Sequence, residues 1–188
     1  SRSVPIENTR DREAENLLSG ERADRLWYSF GITNPGALTL HNYPNFLRNL
    51  SVPVAGNIDL ATIDVLRDRE RGVPRYNEFR RQIGLNPITK FEDLTSDPTT
   101  LAQLKKIYSN DIEQLDTMVA QLAETVRPEG FGFGETAFQI FILNASRRLM
   151  TDRFYTEDYR PEIYTPEGMD WVENTTMVDV LKRHNPEL

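Results

Sequence analysis

The segment DLATIDVLRDRERGVPRYNEFRR, residues 59–81, carries the clearest local pattern in the sequence. Asn57 or Asp59 can cap a helix here, and the Gly-Val-Pro turn that follows ends the helix. Asp64 and Arg67 share one helix face with a leucine and an isoleucine, because all four follow 3- and 4-residue spacing. The two charged side chains either pair with each other, pair with a neighbouring helix, or face a ligand. In the last case Asp64 accepts a hydrogen bond from a ligand-bearing histidine, and Arg67 holds an anionic cofactor edge.

Charge is distributed unevenly along the chain, and this bears on the class of partner. The 188 residues carry a net charge of −7, and the basic residues are 18 arginines and 4 lysines. Residues 67–81 contain six of these arginines and three acids, so this segment is at +3 and the remainder at −10. Arginine suits planar, partly buried ion pairs. The pattern therefore predicts an internal ion-pair network or one bound anion, and it argues against a nucleic-acid-binding protein.

The composition excludes several classes of site. With no cysteine, the chain has no disulfide framework, cysteine-ligated metal site or thiol nucleophile. It has two histidines, His41 and His184, and neither lies in a metal-binding motif. No catalytic or metal-ligating set is complete in these residues. The sequence shows no transmembrane segment, and we expect a soluble protein that is cytoplasmic or peripheral to a membrane.

Frequent helix start and stop signals, with little strand-like alternation, predict a mostly α fold. An amphipathic helix is expected over residues 111–126, and a helix that is apolar nearly all round, and therefore buried, over residues 135–150. The second of these becomes polar at Arg147 and Arg148. The two arginines either favour the helix C-terminus and reach outward, or clamp a carboxylate at the mouth of an apolar channel.

Several blocks of the sequence closely resemble the animal-type heme peroxidases, and among them the fatty-acid α-dioxygenases. The resemblance rests on RDRERGVPRYNEFRR within residues 59–81, on ETAFQIFILNASRRLMTDRF at 135–154, and on GALTLHNYP at 36–44. DWVENTT at 170–176 and KRHNP at 182–186 agree with it. It implies the C-terminal portion of the mostly helical heme peroxidase, α-dioxygenase and cyclooxygenase-like fold. We expect a poorly defined segment at residues 1–28, followed by part of a catalytic domain at residues 29–188.

The resemblance also implies an activity and roles for individual residues. The family oxygenates a fatty acid at its α-carbon with O2, through a heme and a tyrosyl radical, to give a 2-hydroperoxy acid. Asp64 resembles the residue that hydrogen-bonds the proximal histidine, and Arg67 the arginine near a heme propionate. Arg148 resembles the arginine that binds the substrate carboxylate, and Arg147 is the adjacent candidate.

The family's two heme histidines and its radical tyrosine belong to sequence upstream of these blocks. We therefore expect heme in a longer parent enzyme, with the missing N-terminal part as partner, and little or no heme or activity in this chain alone. The parent would be a fatty-acid oxygenase that takes part in oxylipin formation or in the response to oxidative stress. Two alternatives remain open from the sequence: a general heme peroxidase that uses H2O2, and a heme-free helical interaction module.

Overall fold

A computed structural model of the chain describes Thr9 and residues 11–19, 23–52 and 54–186. The expected mostly α fold is confirmed. In chain order the helices and strands are α1 (Asp11–Leu18), α2 (Ala23–Ile32), β1 (Leu50–Val52), β2 (Gly56–Ile58), α3 (Leu60–Glu70), α4 (Tyr76–Gln82), α5 (Pro98–Ile107), α6 (Thr117–Ala123), α7 (Glu135–Thr151), α8 (Arg153–Thr156), α9 (Pro161–Tyr164), α10 (Pro166–Asn174) and α11 (Met177–His184). Short 3-10 helices at Asn45–Asn49, Phe91–Asp93 and Ile112–Gln114 lie between them.

The chain divides into two compact units, and the larger comprises Gly36–Arg147. It contains β1 and β2, which pair antiparallel with Leu50 opposite Ile58, followed by α3 to α6 and most of α7. Its core is formed by eight buried apolar residues: Tyr76, Phe91, Leu94, Leu104, Tyr108, Leu115, Ala120 and Ala123. These side chains come from α4, α5, α6 and the loops between them, so this part of the chain builds a hydrophobic core of its own.

The smaller unit comprises Ser1–Pro35 and Arg148–Leu188. Two of its helices begin at threonine caps. Thr165 caps α10 with its hydroxyl, which accepts a hydrogen bond from the Gly168 N–H at 3.2 Å. Thr176 forms a capping box with Asp179 at the start of α11. Within the described residues, no helix is both long and apolar enough to cross a bilayer.

Two expectations about the helices are wrong. Residues 111–126 do not form one helix, because the backbone at Leu115 and Asp116 is extended. The Leu115 carbonyl accepts a hydrogen bond from the Tyr76 N–H at 2.9 Å, which joins this break to α4. Helix α7 is also mainly exposed rather than buried: Thr136 is its one buried residue, and most of its residues after Ile140 are exposed. The division expected at residue 29 stays a prediction.

Candidate functional site

Helix α3 brings Asp64 and Arg67 together as the spacing predicts. Asp59, rather than Asn57, caps this helix through hydrogen bonds that its carboxylate accepts from the N–H groups of the second and third helical residues. One turn later the Arg67 Nη1 lies 3.7 Å from the Asp64 Oδ1. The Asp64 side chain is 42% exposed and that of Arg67 is 56% exposed. The i,i+3 pair is therefore formed, and both side chains remain accessible to a further partner.

A buried carboxylate holds the C-terminal end of α3 in place. Asp116 accepts two hydrogen bonds from Arg69, from Nε at 3.0 Å and from Nη2 at 2.6 Å, and it also pairs with Arg75. The hydroxyl of the buried Tyr108 donates to the same carboxylate at 2.9 Å. Burial alone would raise the pKa of Asp116, but the hydrogen bonds from Arg69 and Tyr108 lower it below its usual value. Burial and the bond to Asp116 raise the pKa of Tyr108 to about 12.

A second buried polar cluster joins α4 to the first turn of α7. Glu124 accepts hydrogen bonds from the Tyr76 hydroxyl at 2.5 Å, from the Thr136 N–H at 3.0 Å and from the Thr136 hydroxyl. The Arg80 Nη1 donates to the Thr136 Oγ1 at 2.9 Å, and its Nη2 donates to the Glu135 Oε2 at 2.6 Å. Burial lowers the pKa of Arg80, but the hydrogen bond to Glu135 together with the charges of Glu135 and Glu124 raises it above its ordinary value, and the guanidinium stays charged. These five residues are called the α7 anchor below.

The arginines of residues 67–81 thus form an ion-pair network, which is one of the two alternatives that their charge predicts. Seven ion pairs involve five of the six arginines; the acceptors are Asp64 for Arg67, Asp116 for Arg69 and Arg75, Glu124 and Glu135 for Arg80, and Glu78 and Glu113 for Arg81. The sequence reasoning missed Asp116 and Glu124. A signal existed for Asp116, which follows Ile112 by four residues and precedes Val119 by three, and so lies among apolar positions.

The other predicted pair, Arg147 and Arg148, lies near the C-terminal end of α7, and both residues are exposed. Apolar side chains precede them on the same helix, where Phe141 is 51% exposed and Ile142 39% exposed. The second half of α7 therefore carries both exposed arginines and exposed apolar side chains. This is the combination that a long-chain carboxylate requires.

Neither histidine takes part in a cluster of ligands. The His41 Nε2 lies 3.0 Å from the Thr100 Oγ1, and His184 lies in the last turn of α11. Throughout the described ranges, no three His, Cys, Asp or Glu side chains lie where they could hold a metal ion together. Buried carboxylates of the described residues, Asp116 and Glu124 among them, are instead engaged by arginine, hydroxyl and backbone donors.

Comparisons with known proteins agree with the sequence motifs. The chain is 44% identical to Alpha-dioxygenase 2 of Arabidopsis thaliana over all of its own length and 31% of that protein. A crystal structure of the Oryza sativa fatty acid alpha-dioxygenase, a Tyr-to-Phe variant with palmitic acid, matches with a TM-score of 0.84 and 47% identity over 93% of this chain and 30% of that one. The Arabidopsis thaliana fatty acid alpha-dioxygenase structure matches with a TM-score of 0.89 and 41% identity, over 100% of this chain and 30% of that one.

The chain therefore spans about 30% of the length of these relatives. The family model described as animal haem peroxidase matches residues 1–188, which is the whole sequence and includes the segment before the first of the motifs. With all 188 residues matched, the chain belongs to the animal haem peroxidase family.

Proposed function

We propose that this chain is part of a heme-dependent fatty-acid α-dioxygenase. The enzyme would add O2 at the α-carbon of a long-chain fatty acid and release a 2-hydroperoxy acid. The observation that carries the proposal is the 44% identity to an α-dioxygenase over the entire chain. The exposed arginines at the end of an apolar helix support it, because a fatty acid offers one carboxylate and a long apolar chain.

In this proposal the residues of this chain contact the propionate edge of a heme and the histidine that ligates its iron, but do not ligate the iron themselves. The Arg67 guanidinium is more than half exposed and can pair with a propionate without leaving α3. Asp64, beside it, can accept the N–H of a histidine that ligates the iron, which fixes the orientation of that imidazole. His41 is hydrogen-bonded to Thr100 instead. We therefore assign the iron ligands to the remainder of the enzyme, with little or no heme bound by this chain alone.

A bound heme would supply the oxidising chemistry, and the α7 arginines would determine which carbon reacts. Arg148 binds the substrate carboxylate through two parallel hydrogen bonds, with Arg147 as its neighbour on the helix. The α-carbon is attached directly to the carboxylate, so a clamp on that group fixes the α-carbon more tightly than any other methylene. The exposed apolar side chains of α7, Phe141 and Ile142 among them, would contact the acyl chain.

The test of this assignment is Arg148→Gln in the heme-loaded parent enzyme. A lost hydrogen bond to a charged group costs about 1.5 to 3 kcal/mol, or roughly 10- to 150-fold in binding. We expect the dissociation constant of palmitic acid to rise by this factor, while that of 1-hexadecanol, which lacks the carboxylate, changes by less than about twofold. If Arg148→Gln weakens the binding of both ligands equally, Arg148 has a structural role and does not bind the carboxylate.

Arg147→Gln is the matched control, because it makes the same chemical change one residue away. A selective loss of palmitic acid binding in this variant alone would move the carboxylate contact from Arg148 to Arg147.

A further inference from the structure

The α7 anchor has features that go beyond the start of an ordinary helix. Thr136 is the single buried residue of α7, a helix that the structure describes over its full length of 17 residues. Its hydroxyl donates to Glu124 and accepts from Arg80, so both of its hydrogen-bonding functions are used. The Arg80 Nε also donates to the Asn86 carbonyl at 2.6 Å, which ties the guanidinium to the backbone after α4. The direction of the first turn is thus fixed by several bonds.

Close packing restricts the same turn. Gly134 immediately precedes α7, and a Cβ added there would lie 2.6 Å from the Glu124 Cβ, closer than real Cβ contacts come. Only glycine lets the chain pass over this glutamate. Arg80 and Glu124 are each at most 8% exposed, so solvent does not replace their bonds when one partner is lost. We therefore expect a change at the anchor to shift the first turn of α7.

Movement at the first turn is amplified along the helix. Arg148 follows Thr136 by 12 residues, which is about 18 Å at 1.5 Å per residue. A tilt of about 5° about the first turn displaces the far end by roughly 1.6 Å over that length. Misplacement of a bound group by about 1 Å can cost on the order of 100-fold in rate. The position of the arginines at the end of α7 is therefore sensitive to the geometry of the anchor.

We propose that Thr136, Arg80 and Glu124 are positioning residues that aim the carboxylate-binding arginine of α7. This inference rests on the proposed function, because it requires that Arg148 binds the substrate carboxylate. It assigns to the buried cluster a role in substrate recognition in addition to its contribution to folding. The contact is indirect, and none of the three residues touches the substrate.

The experiment measures dissociation constants of palmitic acid and 1-hexadecanol in the heme-loaded parent enzyme. Thr136→Val keeps the shape of the side chain and removes the hydroxyl, whereas Thr136→Ser keeps the hydroxyl and serves as the conservative control. We expect Thr136→Val to weaken binding of palmitic acid about 10-fold or more and of 1-hexadecanol less than twofold, with Thr136→Ser close to the parent, because a displaced guanidinium loses a hydrogen bond to the carboxylate. If Thr136→Val does not fold, Arg80→Lys replaces it, because an ammonium keeps the charge but cannot reach all the acceptors of the guanidinium.

A double variant separates positioning from stability. In an Arg148→Gln background, Thr136→Val should cause no further selective loss of palmitic acid, because the group that it positions is already absent. Additive losses, or equal weakening of both ligands, would overturn the inference and leave the anchor a purely structural cluster. If Arg148→Gln weakens palmitic acid selectively but Thr136→Val leaves the ratio of the two dissociation constants unchanged, the positioning role alone is overturned. No selective loss in Arg148→Gln overturns the carboxylate site and the inference together.

Discussion

Replacement of Asp116 by asparagine perturbs the ion-pair network at its most connected acceptor. The carboxylate holds Arg69, Arg75 and the Tyr108 hydroxyl, and its own side chain is 6% exposed. Asparagine keeps the size of the side chain, but it removes the negative charge and replaces one acceptor oxygen with a donor amide. The two arginines and the tyrosine then compete for one neutral oxygen.

The expected loss of stability follows from the exposure of each partner. Arg69 is 49% exposed and Arg75 34%, so each pair contributes about 0.5 to 1 kcal/mol after solvent screening. The buried Tyr108 bond to a charged acceptor adds about 1.5 to 3 kcal/mol. The sum is about 2.5 to 5 kcal/mol in the free energy of unfolding. For a chain of 188 residues this lowers the Tm by roughly 5 to 20 °C.

The pKa of Asp116 determines how the stability difference between the parent and Asp116→Asn changes with pH. The pKa of Asp116 lies below its ordinary value of 3.8 in the folded state, so its contribution is present above that value and is lost as the pH falls through the folded pKa. Urea unfolding of the parent and of Asp116→Asn should therefore differ most near pH 7 and converge only as the pH falls below 3.8, through the lowered pKa of Asp116. The control is Asp152→Asn, an exposed helix cap where asparagine serves equally well. A difference under about 1 kcal/mol, or one independent of pH, would refute this account of the network.

Three further predictions concern other parts of the chain. Gly134→Ala forces a methyl group against Glu124 and should destabilise the chain by about 1 to 3 kcal/mol in urea unfolding, and an unchanged midpoint would contradict the packing. Tyr108, whose pKa is raised to about 12 from 10.0, stabilises the fold below pH 10 and loses this contribution as the pH rises through 12. Tyr108→Phe should therefore flatten the alkaline loss of stability, and parallel curves would reject this assignment. In the heme-loaded parent, Asp64→Ala should lower kcat about 10- to 100-fold and alter the heme absorbance, whereas an unchanged spectrum would remove Asp64 from the heme site.

Local signals predict much of the fold, and the reason is physical. Asp59 and Thr176 cap α3 and α11 because a side-chain oxygen near the first turn satisfies N–H groups that are close in sequence. The Asp64–Arg67 pair is local in the same sense, since one helical turn brings the two residues together. Such contacts depend on spacing alone and are readable without the structure.

Long-range contacts explain what the sequence does not predict. The apolar spacing over residues 111–126 is real, but a backbone hydrogen bond from Tyr76 to Leu115 breaks the helix, and its donor lies 39 residues away. The bond between Tyr76 and Glu124 spans 48 residues and no sequence motif marks it. Apolar spacing also does not predict how much of α7 is buried. The spacing shows which positions of the helix are apolar, but not which other residues cover them.

The most direct test of the proposed function is product analysis of the heme-loaded parent enzyme with palmitic acid under isotopically labelled O2. We expect consumption of O2 and a 2-hydroperoxy acid that carries both labelled oxygen atoms at the α-carbon. Oxidation of small donors by H2O2 with no label at the α-carbon of palmitic acid would contradict it, and would make the enzyme a general peroxidase.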